Sequence, residues 1–181
     1  MAEVVSINIS ENRGTVKHEI DCAKLIENYG IEGDAHAGRW HRQISLLAEE
    51  SIDQMRALGF EPEKGAFAEN INTAGIELKT IPIGRKIKIG QCILRVTQIG
   101  KECHNDCEIK RVTGKCVMPT DGIFAAVEKG GIIRKGDKIT VMEDDNNWLI
   151  DTKNAVGHVL GHDITRILKG RWVQLSSWQR R

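Results

Sequence analysis

Proline and aromatic residues are scarce in this chain: its 181 residues include 3 Pro, 3 Phe, 1 Tyr and 4 Trp. So few aromatic faces argue against a binder of single-stranded nucleic acid, which needs stacking platforms. An excess of either charge is also missing. The formal net charge is +1, so no overall field steers the chain to nucleic acid or to a membrane surface. No apolar run approaches the roughly 20 residues of a membrane span. The stretch Met1-Ala2-Glu3-Val4-Val5 has neither the basic region nor the apolar segment of a signal peptide. These absences predict a cytoplasmic protein with no nucleic-acid and no membrane partner.

Cysteine is present but odd in number: Cys22, Cys92, Cys103, Cys107 and Cys116. An odd count in a reducing compartment argues against a disulfide framework. Cys22 and Cys92 lie in apolar segments and read as small buried hydrophobes. The other three cluster and need their own account.

Along the chain, Val5, Ile7 and Ile9 alternate with polar neighbours and predict a strand. A second extended run covers Ala23 to Ile26, and a Gly-rich loop follows from Gly30 to Arg42. From Ile44 to Leu58, apolar residues recur three or four apart (Ile44, Ala48, Ile52, Met55, Leu58) and predict a helix. Ser45 would cap its start, Glu49 and Glu50 would suit its positive end, and Gly59 would stop it. Ile87 and Ile89, the turn Gly90-Gln91, and then Cys92, Leu94 and Val96 read as a β-hairpin. Gly122 to Val127, Ile132-Ile133, and Ile139 with Val141 add short strands between Gly-rich turns. Many short strands with one clear helix suggest a small β-barrel with helical additions. The acidic, polar stretch from Glu143 to Asn147 marks a boundary, giving a domain over 1–143 and a linker with a C-terminal extension over 144–181.

Three groups could carry chemistry. In the loop, Gly33 and Gly38 permit unusual dihedrals and close approach. Arg39 and Arg42 offer planar, permanently charged forks that suit phosphate or carboxylate. His36 and His41 could donate to the same anion or bind a metal, and Gln43 and Ser45 add neutral donors. The plainer reading is a surface loop with solvated charges and a helix cap. Next, Asn70 in Phe67-Ala68-Glu69-Asn70-Ile71 could bind a ligand through its amide, or satisfy a turn backbone. Finally, Cys103 and His104 are followed by Cys107 and Cys116. Zinc is one reading, although structural zinc normally uses two Cys-x₂₋₄-Cys knuckles and only one such pair is present. A redox pair would be unusual at Cys-x₃-Cys spacing. A reactive thiolate at Cys103 is the third reading, favoured by Lys101 and His104 and opposed by Glu102. Thiols that only pack are the fourth.

Gly33-Asp34-Ala35-His36-Ala37-Gly38 with Arg39, Arg42-Gln43 and Ser45-Leu46 resembles the signature of MOSC domains. Phe67-Ala68-Glu69-Asn70, Gln98-Ile99-Gly100-Lys101-Glu102-Cys103-His104, Cys116-Val117-Met118-Pro119 and Gly122-Ile123-Phe124 continue the likeness in order, and Gly131 and Gly136-Asp137 complete it. It spans Val4 to Met142 and is nearest to small stand-alone bacterial members. MOSC domains also resemble the C-terminal domain of eukaryotic molybdenum cofactor sulfurase. The resemblance implies a mainly β (α+β) fold with a few helices, a closed β-barrel of the pyruvate-kinase β-barrel-like type. It implies binding of the molybdenum cofactor, a pterin with a dithiolene-bound molybdenum and a phosphate. Cys103 would be the catalytic residue, carrying a persulfide or ligating the metal, chemistry that suits a soft thiolate. Gly33, Asp34, His36, Arg39, Arg42, Gln43, Ser45, Asn70 and Lys101 would line the cofactor site.

The tail from Thr152 to Ile167 resembles the opening of molybdopterin-binding proteins, and the likeness stops near Gly170. So short a piece cannot build that domain's core, and a truncated remnant is expected. The function expected from both likenesses is sulfur carriage or transfer to the molybdenum cofactor. The sulfur would come from a pyridoxal-phosphate-dependent cysteine desulfurase, so pyridoxal phosphate enters only through that partner. A molybdoenzyme or a cofactor-biosynthesis protein would receive the product. A molybdenum-dependent reductase of N-hydroxylated compounds, a non-enzymatic cofactor chaperone and a zinc-stabilised interaction module are the rivals.

Overall fold

The computed structural model describes residues 1–101 and 108–143, which fall within the compact unit Met1–Asp144. The strands, in chain order, are β1 (Glu3–Ile9), β2 (His18–Ile20), β3 (Cys22–Ile26), β4 (Gly30–Ile31), β5 (Ile44–Ala48), β6 (Ile71–Ala74), β7 (Lys86–Ile89), β8 (Cys92–Ile99), β9 (Ile123–Lys129), β10 (Gly131–Arg134) and β11 (Ile139–Val141). The helices are α1 (Glu49–Arg56), α2 (Glu108–Thr113) and α3 (Met118–Asp121), with a 3₁₀ turn at Leu78–Thr80. The fold is mainly β with few helices. An eight-stranded sheet runs in the order β11-β7-β8-β9-β5-β6-β1-β2, and a three-stranded sheet runs β10-β3-β4.

The closed barrel expected from the resemblance does not form. The large sheet stays open between β11 and β2. Among the described residues, the start of β1 rather than β2 meets the β11 side, through an isolated antiparallel bridge between Glu3 and Lys138 and local bonds such as Ile139 N–H to Ala2 O (2.9 Å) and Val4 N–H to Asp137 O (3.0 Å). The reason lies in β1. Its outer edge is taken by β2 from Ile7 to Ile9, so only its first residues remain to meet the turn before β11.

The helix expected over Ile44 to Leu58 is also corrected. Ile44 to Ala48 is a strand, and all five of its residues are buried. It pairs in parallel with β6 and antiparallel with β9. A central strand covered on both faces reads as a continuous apolar run, and here it continues directly into the apolar stripe of α1. Ser45 therefore caps nothing; the residue before α1 is Ala48. Glu49 and Glu50 do occupy the first turn of α1, where the dipole favours them. Ile52 and Met55 are buried, while Leu58, beyond the helix, is half exposed.

The hairpin β7–β8 forms in the expected register, Ile89 opposite Cys92. β1 departs from simple alternation. A bulge between Val4 and Ser6 puts Val4 and Ile7 into the main core and leaves Ser6 and Asn8 buried among polar groups. Ile7, Leu46, Ile71, Leu94 and Ile123 are fully buried together in that core, each stabilising the fold by roughly 1.5–3 kcal/mol. A smaller cluster of Leu47, Ile52, Met55, Phe67, Val117, Met118 and Phe124 packs α1 and α3 against the other face of β5 and β9.

Candidate functional site

One transverse row of the sheet gathers most of the candidate residues. The Asn8 N–H donates to Asn70 O (2.7 Å), and the Asn70 N–H donates to Ser45 O (2.9 Å). Ser45 then stands opposite Phe124, and Phe124 opposite Gln98. Residues from β1, β5, β9 and β8, with Asn70 just before β6, are thereby aligned, although they are far apart in sequence.

At one end of the row lies a buried polar network. Asn70 is 2% exposed, and its amide is fully engaged. Nδ2 donates to Asp34 Oδ2 (2.6 Å) and to Asn8 O (3.1 Å), while Oδ1 accepts from the Ser45 N–H (3.1 Å) and Ser45 Oγ (3.0 Å). Asp34 is buried and takes a salt bridge from Lys17 Nζ at 2.8 Å. Burial alone would push the Asp34 carboxyl up. The Lys17 ammonium, Asn70 and the His36 N–H outweigh it and hold the carboxyl below the usual range. Burial pushes the Lys17 ammonium down against the pull of Asp34. We read the pair as ionised, because each charge is hydrogen-bonded to the other. Neighbouring Glu69 is fully buried and accepts from the N–H groups of Gly65 (2.9 Å) and Phe67 (2.9 Å) and from Asn72 Nδ2 (3.0 Å). Burial nevertheless raises its pKa. His36 borders this network at the surface, with Nδ1 3.4 Å from Asp34 Oδ1 and 3.5 Å from Ser10 Oγ. Gly33 turns the loop at φ +85°.

At the other end of the row the groups are open. Glu27, Arg39, Trp40, His41, Gln43 and Thr97 line a cleft of about 750 Å³. Arg39, Trp40 and His41 are exposed. Gln43 is buried and accepts from the Val127 N–H at 2.9 Å. Arg42 lies against Phe124, its Cζ 5.5 Å from the ring centroid, and donates from Nε to Gln98 Oε1 at 2.9 Å. Gln98 Nε2 donates to Gly100 O at 2.6 Å. Lys101 is exposed just beyond.

The structure therefore divides the predicted residues into two groups. Asp34, Ser45 and Asn70 form a buried scaffold with His36 at its rim, while Arg39, Arg42, Gln43 and Lys101 gather near the cleft and the end of β8. Cys103, His104 and Cys107 lie outside the described residues, and so do the linker beyond Glu143 and the tail; the zinc, redox and thiolate readings rest on them. Cys116 lines a separate pocket with Met55, Leu58 and Lys115. Among the described residues, no three His, Cys, Asp or Glu side chains form a metal-sized group. Sequence reasoning missed Lys17, Ser10 and Asn8, which no local pattern marks. It quoted Glu69 and Gln98 within motifs without giving them roles.

Three comparisons bear on kinship. Among solved structures, the chain is similar to the YuaD protein of Bacillus subtilis, at 18% identity and TM-score 0.64 over 77% of this chain and 94% of that one. It is similar to YiiM from Geobacillus stearothermophilus, at 17% identity and TM-score 0.59 over 79% of this chain and 76% of that one. YiiM from Escherichia coli gives 17% identity and TM-score 0.57 over 80% and 71%. At such identities the likeness is one of fold. No curated protein sequence matches the chain. A family model described as the MOSC domain matches residues 33–140. That span exceeds half of the chain and contains most of the loop, the β8 end and Asp34, Ser45, Glu69 and Asn70 of the polar network, so the protein belongs to the MOSC domain family.

Proposed function

We propose that this MOSC protein binds the molybdenum cofactor and carries or transfers sulfur through Cys103. The family is associated with that cofactor. The observation that carries the reading is the junction at Gln98. It ties Arg42, from the cleft loop, to the carbonyl of Gly100, three residues before Cys103 in the sequence.

The donor set fits the organic part of the cofactor. Arg39 and Arg42 have no carboxylate partner among the described residues, so their charge is available to a phosphate. Trp40 offers an exposed ring beside them that suits a planar heterocycle. Arg39, Arg42, His41 and Lys101 would hold the anionic edges, with the Lys17–Asp34–Asn70 scaffold keeping the loop in place. Metal ligation would fall to the Cys103 thiolate. When bound, the cofactor supplies a metal centre that takes soft sulfur ligands.

In the carrier role, the Cys103 thiolate attacks the outer sulfur of a persulfide on a cysteine desulfurase. A new S–S bond forms on Cys103 and the donor leaves as a thiolate. Lys101 and His104, beside Cys103 in the sequence, favour the thiolate form, and Glu102 opposes it. Incubation with a pyridoxal-phosphate-dependent desulfurase and cysteine, followed by mass spectrometry, tests this directly. A 32-Da increment (about the mass of one sulfur) on the peptide carrying Cys103, lost in Cys103→Ser, is expected. Labelling at Cys116 alone contradicts it. Turnover of N-hydroxylated substrates by cofactor-loaded protein without any persulfide would favour the reductase reading.

A further inference from the structure

Gln98 is a neutral side chain beside two side-chain nitrogens of the cleft loop. Its Oε1 accepts from Arg42 Nε at 2.9 Å and lies 3.2 Å from His41 Nε2, while its Nε2 donates to Gly100 O at 2.6 Å. The Gly100 carbonyl can only accept, so the amide nitrogen faces it and the oxygen must face Arg42. The anchor is itself rigid. Gly100 adopts φ +71° and its N–H donates to Gly122 O at 2.7 Å. A Cβ there would stand 1.9 Å from Pro119 O.

Arg42 is thus held on two sides, by Gln98 at Nε and by the Phe124 ring, whose centroid lies 5.5 Å from Cζ. Its two Nη groups make no hydrogen bond among the described residues. Arg56 and Arg95, in contrast, turn theirs to Glu49 and Glu128. A glutamate at position 98 would orient Arg42 as well but would cancel its charge; an amide orients it and leaves the charge intact.

We propose that Gln98 is a positioning residue that fixes Arg42 as a receptor for a tetrahedral oxyanion of the phosphate-monoester class, orienting the guanidinium without neutralising it. This rests on the reading of the cleft loop as anion-binding given above. The Nη fork that remains free is the part of a guanidinium that grips phosphate in bidentate fashion. Holding it in place beforehand lowers the ordering cost of binding.

The test is a titration of the full-length protein with inorganic phosphate, followed by calorimetry and by the ¹⁵N–¹H resonance of Arg42 Nε. Saturable binding that shifts this resonance is expected. Gln98→Leu should weaken binding on the order of tenfold, the worth of one charge-assisted hydrogen bond, with an unchanged melting curve and loss of the protected Nε–H signal. Gln98→Glu should keep that signal and still weaken binding. Phosphate affinity unchanged in both variants, with Arg42→Ala abolishing binding, overturns the role of Gln98 while leaving the anion site standing. Wild-type and Arg42→Ala proteins that both fail to bind, or bind equally, overturn the anion reading itself and this inference with it.

Discussion

Lys17 Nζ lies 2.8 Å from Asp34 Oδ2, with 2% and 1% of the two side chains exposed. Breaking such a pair by removing one partner strands the other charge in the interior, at a cost of roughly 3–5 kcal/mol. Lys17→Met is expected to destabilise the protein by about that amount. Asp34→Asn should also destabilise it, since Asn70 Nδ2 loses a carboxylate acceptor. The double substitution should cost less than the sum of the singles by more than about 1 kcal/mol. Urea denaturation of the four proteins measures this coupling; additive effects would show that the pair does not act as one.

Acidification gives a second check. The folded-state pKa of Asp34 lies below its ordinary value, so its stabilisation is complete above the unfolded value near 3.9 and is lost as pH falls through the folded value. Glu69 acts in the opposite sense, since burial raises its pKa. Its contribution is present below the unfolded value, near 4.3, and is lost as pH rises through the folded one. Comparing the wild type with Asp34→Asn separates the two. The stability difference between them should shrink as pH drops below about 4. A difference that stays constant down to pH 2 would mean that Asp34 is not held ionised by Lys17.

At Gly100 the backbone leaves no room for a side chain. Gly100→Ala would place its Cβ 1.9 Å from Pro119 O at φ +71°. A destabilisation of roughly 1–3 kcal/mol is expected from overpacking alone, with slower sulfur loading of Cys103, because the Gln98–Gly100 contact moves with the shifted strand end. Thermal melting and persulfide labelling read the two effects separately. A variant with wild-type behaviour in both would show that this segment tolerates displacement.

Arg42→Lys tests geometry apart from charge. Lysine keeps the positive charge but has no Nε to meet Gln98 and no planar face for Phe124. Phosphate binding should fall by about tenfold, whereas Arg42→Ala should abolish it. Binding close to wild type would mean that charge alone suffices.

Much of this was legible in the sequence where a local period carries the information. The β7–β8 hairpin follows from the alternation on either side of Gly90, which adopts φ +56°. β5 was not legible, because a strand buried on both faces and an amphipathic helix join without a polar break at Ala48–Glu49. β2 was missed for the opposite reason: His18 and Glu19 are exposed and Ile20 is only partly covered. Barrel closure depended on which residues of β1 remain unpaired, and a strand pattern does not encode that. At the site, Arg39 and Arg42 were visible from residue type. Lys17 was not, since its burial depends on partners distant in sequence: Asp34 takes its ammonium, and Gly65 packs so closely that a Cβ there would lie 2.4 Å from Lys17 O. Gln98 was visible as part of a motif, but its role depends on the register that places it opposite Phe124 and within reach of Arg42.

Binding of the molybdenum cofactor is the proposal from which the sulfur chemistry follows. The most direct test is elemental analysis together with pterin fluorescence, on protein purified from a host that makes the cofactor. Molybdenum and pterin in near-equal amounts are expected, with pterin reduced in Arg39→Ala/Arg42→Ala and molybdenum lost in Cys103→Ala. Protein from such a host that carries neither molybdenum nor pterin, or that carries stoichiometric zinc in their place, would contradict the account.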